Sequence, residues 1–456
     1  MLADQELKET LKLAVPVVIS QVGNMSMGLI DSYAVGHVSS NELAAVAAGN
    51  SIYWSSAIIG IGLLFGMDPI VSQAFGRGDQ KTCMKNLGQC LLLGLVLSAL
   101  MIPLLLIIAR NYHLTGTHPD IVHSAVPYIE IISFSFPFFF LFNAFQRYWQ
   151  GLGIAIPVTI IVILANVANY FLDMALVRGD YGMPAMGARG VAYATLICRF
   201  LMLVAIIGMS YYLWHRSSKY VALRWRELWP FDWFLFRSFL RIGSPAAVQV
   251  ALEVVAFNLT TLLIARLGPT ELATHHIVLS IASFTFMFPL GLSSSTAVRV
   301  GFHLGGGSPQ QTRQAGWLGI RLAVMIMMFF GMTLYLVPEH LIGFFSSDEK
   351  VLLTAMNIII LAAMFQVFDG LQVVSAGALR GLGDTKTALY SNLLSHYLVG
   401  LPLGLSLCFT FEYGLVGLWV GLAAGLFLVA MINVLFWYRK SRRLEPLIAT
   451  LQAVRA

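Results

Sequence analysis

Residues 84–109, MKNLGQCLLLGLVLSALMIPLLLIIA, carry one charged side chain, Lys85. A run this long and apolar crosses ~30 Å of hydrocarbon as a helix. Similar blocks recur along the chain, and they constrain the fold more than any other feature. In lipid, only helices and closed barrels satisfy their own backbone groups, and blocks of this length are helices. Composition agrees: 58% of the 456 residues are hydrophobic and 11% charged, against about 25% charged in soluble domains. The reading is an all-α polytopic membrane protein.

Twelve transmembrane helices are predicted, at 10–36, 43–72, 84–109, 121–147, 155–177, 187–214, 238–265, 271–300, 311–336, 350–378, 385–409 and 413–438. An even number puts both termini on one side. Of the 28 Lys and Arg residues, 22 fall on that side, 5 fall opposite, and Arg199 lies within a span. By the positive-inside rule both termini are cytoplasmic. The start, MLADQELKETLK, lacks the basic start and cleavage site of a signal peptide, so the first span is expected to be retained. Cys83, Cys90, Cys198 and Cys408 have no metal-type spacing and read as small apolar packing residues. The net charge of +6 reflects basic cytoplasmic loops rather than an acidic partner.

The chain repeats itself. LKLAVP at 11–16 matches LRIGSP at 240–245, and ELAAVAAGNSI at 42–52 matches ELATHHIVLSI at 271–281. Gly62-Leu63 pairs with Gly291-Leu292, and Phe75-Gly76 with Leu304-Gly305, all at one offset of 229. GLG at 151–153 recurs at 381–383, one residue out of that register. A shared register over some seventy residues marks a duplication. The expected organisation is an N-terminal six-helix bundle (1–214), a cytoplasmic connector (215–237), a C-terminal six-helix bundle (238–438) and a basic cytoplasmic tail (439–456). Six helices per half gives parallel repeats, related by a pseudo-twofold axis along the membrane normal. That is a transporter architecture, with the substrate site expected between the bundles near the midplane. Trp225, Trp229 and Trp233 in the connector suit a membrane interface.

Six acids fall within the spans: Asp31, Asp68, Glu130, Asp173, Glu253 and Asp369. A charge at the bilayer centre costs about 2.5–3.5 kcal/mol even on insertion scales, so such residues face a cavity or find partners. Asn169 and Asp173 are four apart and share a helix face. Asp31 lies at matching depth in span 1, and Thr195 lies ~9 Å below the outer end of span 6. These four converge on one hard-oxygen pocket. Glu253 maps onto Asn24 in the other half, and Asp369 maps near Phe139. Neither acid is a copy, so both read as specialisations for coupling or substrate binding. Asp68, beside Pro69, reads as a cap or interface residue, and Glu130 as reaching water. His275 and His276 read as interfacial. Arg199 reads as pairing with an acid or snorkelling. Pro16 and Pro245 occupy equivalent places ahead of Asp31 and Glu253, where proline removes a backbone hydrogen bond and permits bending.

Several stretches together resemble the multidrug and toxic compound extrusion (MATE) family, in its bacterial NorM-type branch. They are LAVPVVISQVGNMSMGLIDSYAVG, NYFLDMALVRGDYGMPAMGARGVAYAT, SPAAVQVALEVVAFNLTTLLIARLG, FMFPLGLSSSTAVRVGFHLG and MFQVFDGLQVVSAGALRGLGDTK. The likeness covers nearly all of residues 8–438. It implies a secondary active antiporter of the inner membrane, a monomer and not an enzyme, without cofactor or nucleic-acid partner. Such a protein exports cationic amphiphilic drugs in exchange for sodium ions or protons by alternating access. Asp31 matches the family's acid in span 1. Asn169, Asp173 and Thr195 match its cation pocket, the place for sodium if sodium is used. Glu253 and Asp369 match the C-terminal acids of its sodium-coupled branch. Asp173 departs from a family tendency to asparagine there, and His275-His276 departs from His-Gln. A lipid-linked precursor flippase of the wider superfamily is the alternative, but it calls for extra spans and basic cavity residues. A membrane-embedded enzyme calls for a catalytic cluster that these dispersed acids do not form. A passive channel calls for a repeated filter.

Overall fold

The computed structural model describes residues 2–216, 228, 230–345 and 348–453. Most of the 215–237 connector, with Trp225 and Trp229, lies outside them; Trp233 opens a helix and is exposed. Every long element is a helix. In order they are α1 (Leu2–Gly36), α2 (Ser40–Leu64), α3 (Met67–Gly76), α4 (Gln80–Arg110), α5 (Pro119–Ser133), α6 (Phe136–Gly151), α7 (Ile156–Arg178) and α8 (Ala188–Arg216). There follow α9 (Trp233–Ile264), α10 (Pro269–Gly305), α11 (Pro309–Leu336), α12 (Pro338–Gly343), α13 (Glu349–Gly381), α14 (Lys386–Thr410), α15 (Gly414–Lys440) and α16 (Glu445–Ala453). Among the described residues eleven helices are long and apolar enough to span a membrane, and twelve when α5 and α6 count as one bent span. The twelve expected spans are thus present.

Two of the spans are broken, and proline explains both breaks. Pro137, at the start of α6, cannot donate to the carbonyl of Ser133. The chain bends by 47° there, and Phe134 and Ser135 donate instead to Ile131 and Ile132, three residues back. Pro69 acts likewise just inside α3, so α2 and α3 are separate helices within one span. Pro16 and Pro245 sit inside helices that continue through them. In α14 the backbone widens to π-helix at Leu393–Gly400 and Ser406–Thr410, around Pro402.

Contacts divide the chain into two compact units. The amino unit comprises Ile19–Met67 and Asp79–Leu240; the carboxy unit comprises Met1–Val18, Asp68–Gly78 and Arg241–Ala456. In the amino unit α2 packs on α5, α7 on α8, and α4 on α6. Its core includes an aromatic stack of Tyr53, Phe136 and Phe140, with adjacent ring centroids 4.5 and 5.4 Å apart. Buried Trp149 donates to Ser210 Oγ at 2.7 Å. The Glu42 carboxylate ties three elements: it accepts from Ser124 Oγ and from the Ala188 N–H, both at 2.6 Å. The second bond places a negative charge at the N-terminus of α8, where the helix dipole favours it.

In the carboxy unit α13 is central, packing against α10, α11 and α15. Small residues set its close approaches. A Cβ on Gly400 would sit 2.9 Å from the Gly421 carbonyl oxygen, and one on Gly404 3.5 Å from Gly421 Cα. This seam joins α14 to α15 as small-residue motifs join membrane helices generally. Gly76 and Gly305 likewise leave no room for a Cβ: Gly76 abuts the Phe302 carbonyl and Gly305 the Gln73 carbonyl. Two buried ion clusters stand in the same unit. Glu6 accepts from Arg299 Nε at 2.9 Å and Nη2 at 2.5 Å, and lies 2.9 Å from His303 Nε2. Asp68, fully buried, lies 3.4 Å from Arg380 Nε. Asp68 thus stands in the first turn of α3, as a cap-like acid would, and is ion-paired inside the fold rather than at an interface.

Candidate functional site

In the amino unit, α1, α2, α5, α6 and α8 line a partly open cavity. α1 presents Asp31 to it, with Asn24 and Met27 on the same face. α8 presents Thr195 and, one turn later, Arg199. Aromatic walls come from Trp54, Tyr128 and Phe139. The lining combines apolar surface with a few polar groups, as ligand sites do.

Asp31 is buried and both of its oxygens are engaged. Asn169 Nδ2 donates to Oδ1 and Thr195 Oγ1 donates to Oδ2, each at 3.2 Å. Asn169 comes from α7, which packs behind α8 and brings Asp173 one turn further along. Asp173 is fully buried and interacts electrostatically with Asp31. Among the described residues no group donates a hydrogen bond to either of its oxygens. The structure thus brings Asp31, Asn169, Asp173 and Thr195 together, with both neutral donors on Asp31 and Asp173 against the Asp31 carboxyl group. Such a set can hold a proton or a hard cation through oxygen ligands.

Glu253 and Asp369 belong to the carboxy unit and meet at a residue that the sequence reading passed over. Gln372 Nε2 donates to Glu253 Oε1 at 2.8 Å and lies 3.5 Å from Asp369 Oδ1. Gln372 follows Asp369 by three positions and shares its helix face, which was the available signal. Arg199, four residues after Thr195, departs from its expected role. It neither snorkels nor pairs with an acid within the described residues. Its Nη1 donates to Ser135 Oγ at 2.5 Å, and its guanidinium carbon lies 4.3 Å from the Tyr53 ring centroid and 5.1 Å from that of Phe139.

The remaining expectations divide. His275 is buried rather than interfacial: its Nε2 lies 2.9 Å from Thr261 Oγ1, and its ring packs on Trp419. His276 is exposed and Glu130 partly so. The four cysteines are free and buried.

A membrane-spanning helical protein with duplicated halves and buried acids beside a partly open cavity has the make-up of a transporter. The MatE family profile matches residues 16–175 and again 245–405, one match per repeat, and the chain belongs to that family. It is 32% identical over 453 residues to the "Probable multidrug resistance protein NorM" of Mesorhizobium japonicum, covering 97% of this chain and 96% of that one. It is 32% identical to the multidrug resistance protein PmpM of Pseudomonas aeruginosa, covering 96% and 92% respectively. Among solved structures, it resembles the outward-facing conformation of a multidrug resistance MATE family transporter, with a TM-score of 0.87 at 18% identity and 97% of both chains covered. The likeness extends to the eukaryotic MATE transporter AtDTX14, with a TM-score of 0.83 at 21% identity, over 98% of this chain and all of that one.

Proposed function

We propose that this protein is a secondary active multidrug efflux antiporter of the bacterial inner membrane, with both termini cytoplasmic and acting as a monomer. It exports cationic amphiphiles in exchange for sodium ions or protons by alternating access. Asp31, Asn169, Asp173 and Thr195 form one cation-coupling group. Glu253 and Asp369, joined by Gln372, form a second. Pro16 and Pro245 lie in the helices that carry Asp31 and Glu253, and supply their bending points.

The observation that carries this reading is Asp173. It is fully buried against the Asp31 carboxyl group, and no N–H or hydroxyl group of the described residues donates to it. Two adjacent buried carboxyl groups cannot both stay ionised without a positive charge between them. A proton or a sodium ion supplies that charge. A drug ammonium reaching Asp31 from the cavity places a second positive charge against the same carboxyl pair, so ion and drug compete. Competition drives transport only if each binds the two cavity orientations with different affinity. The names of the curated relatives support the drug cargo, and the aromatic and methionine lining supports a broad range of shapes.

Reconstituted protein tests the proposal. Ethidium movement is followed in proteoliposomes under an imposed sodium gradient and, separately, under an imposed pH gradient. One of the two drives accumulation against the ethidium gradient, and Asp31→Asn abolishes it. Ethidium flux that responds to neither gradient overturns the antiport reading.

A further inference from the structure

Arg199 places a positive charge in the same cavity as Asp31. In a cavity for cations its charge has two opposed effects: it attracts the Asp31 carboxylate, and it repels a cationic ligand. Arg199 acts on Asp31 through its field, from beyond ion-pair distance. Among the described residues its guanidinium forms no ion pair; one nitrogen is spent on Ser135 Oγ, and the plane leans on Tyr53 and Phe139. A guanidinium has five N–H donors, and a single donated bond accounts for this one among the described residues. Ser135 is itself fixed: it lies at the bend between α5 and α6 and donates to the Ile132 carbonyl at 2.6 Å. The arginine is therefore held in place by a break in the helix and by aromatic faces, with most of its fork uncommitted.

We propose that Arg199 is a specificity residue that binds the carboxylate of substrates carrying both an ammonium and a carboxylate on an aromatic frame. Asp31 receives the ammonium, the Trp54, Tyr128 and Phe139 walls take the ring system, and Arg199 takes the carboxylate through paired N–H···O bonds. Arginine suits that task because its planar fork matches a carboxylate in two bonds at once. The proposal rests on the efflux reading above and adds an anion-binding arm to its cavity. It separates two kinds of cargo: simple organic cations, which use the acid and the walls alone, and zwitterions, which use all three.

The test uses full-length protein in proteoliposomes with three probes: norfloxacin, its methyl ester and ethidium. In the wild type the ester shows a KM about tenfold above that of norfloxacin. Arg199→Gln raises the norfloxacin KM by a similar factor relative to the ester and ethidium, whose KM values change less. Arg199→Lys, which keeps the charge but not the fork, falls between. Equal loss for all three probes in a monodisperse Arg199→Gln protein assigns Arg199 a purely structural role and overturns the proposal. So does an unchanged norfloxacin KM. If Arg199→Gln does not fold, the wild-type comparison decides: equal KM values for norfloxacin and its ester overturn the proposal. A wild type that transports ethidium but fails these comparisons leaves the efflux reading standing. A wild type that moves none of the probes overturns both.

Discussion

Gly76 and Gly305 stand 229 residues apart, and each packs against the backbone carbonyl of a residue three positions before the other: Gly76 on Phe302, Gly305 on Gln73. Phe302 and Gln73 are themselves 229 apart. The contact is thus reciprocal between duplicated segments, as a twofold relation requires of equivalent surfaces. Both glycines belong to the carboxy unit, because residues 68–78 pack there with the second half of the chain.

Either glycine replaced by alanine forces backbone against backbone. Gly76→Ala and Gly305→Ala are each expected to destabilise the protein by about 1–3 kcal/mol, the usual cost of overpacking. Thermal unfolding in detergent measures the effect. Gly78→Ala, at a left-handed position with open space around it, serves as a control that separates backbone strain from crowding. Stability unchanged by both Gly76→Ala and Gly305→Ala would contradict the close approach.

Arg380→Ala leaves Asp68 buried without its ion-pair partner. Breaking a buried pair from one side costs about 3–5 kcal/mol. The double variant Arg380→Ala/Asp68→Ala is expected to recover part of that loss, and a thermal-shift cycle over the four proteins reads the coupling. A double variant that is no more stable than Arg380→Ala would show that other contacts of the two residues dominate.

Asp173→Asn keeps the size and polarity of the side chain but removes its charge. Ion-driven ethidium efflux is expected to fall about tenfold or more, a loss of ~1.4 kcal/mol or above in the coupled step. Asn169→Ala, which takes one donor from Asp31 and leaves both carboxyl groups, is expected to cost less. Ethidium flux in proteoliposomes ranks the two, and the reverse order would move the coupling role from Asp173 to Asn169.

Glu253→Gln and Asp369→Asn are each expected to abolish coupled efflux with expression intact. Gln372→Leu, which removes the amide between them, is expected to weaken it by about tenfold. Drug resistance of cells carrying each variant gives the readout. Resistance undiminished in the two acid variants would remove this group from transport.

The long spans were legible because hydropathy is summed over twenty or more residues and one substitution barely alters it. The pairing of Asn169 with Asp173 was legible because helical spacing alone places them on one face. Gln372 obeyed the same spacing relative to Asp369 and could have been found by it, and Arg199 stood out as a basic residue within a span. Their partners could not be found this way. Ser135 is 64 residues from Arg199, and Glu253 is 119 from Gln372. The Glu6 cluster spans 293 residues to Arg299, and His275 owes its burial to Trp419 on a distant helix. Such meetings depend on how helices pack, which local periodicity does not encode. The bend at Phe134–Ser135 lay between: Pro137 marked it, but the apolar run continued through.

The glycine seam between α14 and α15 has a mechanical consequence. Backbone presses on backbone there, so no side-chain torsion is available to absorb a relative displacement. The two helices are expected to travel as a single rod through any turnover cycle, so that a covalent cross-link along that seam would leave transport intact.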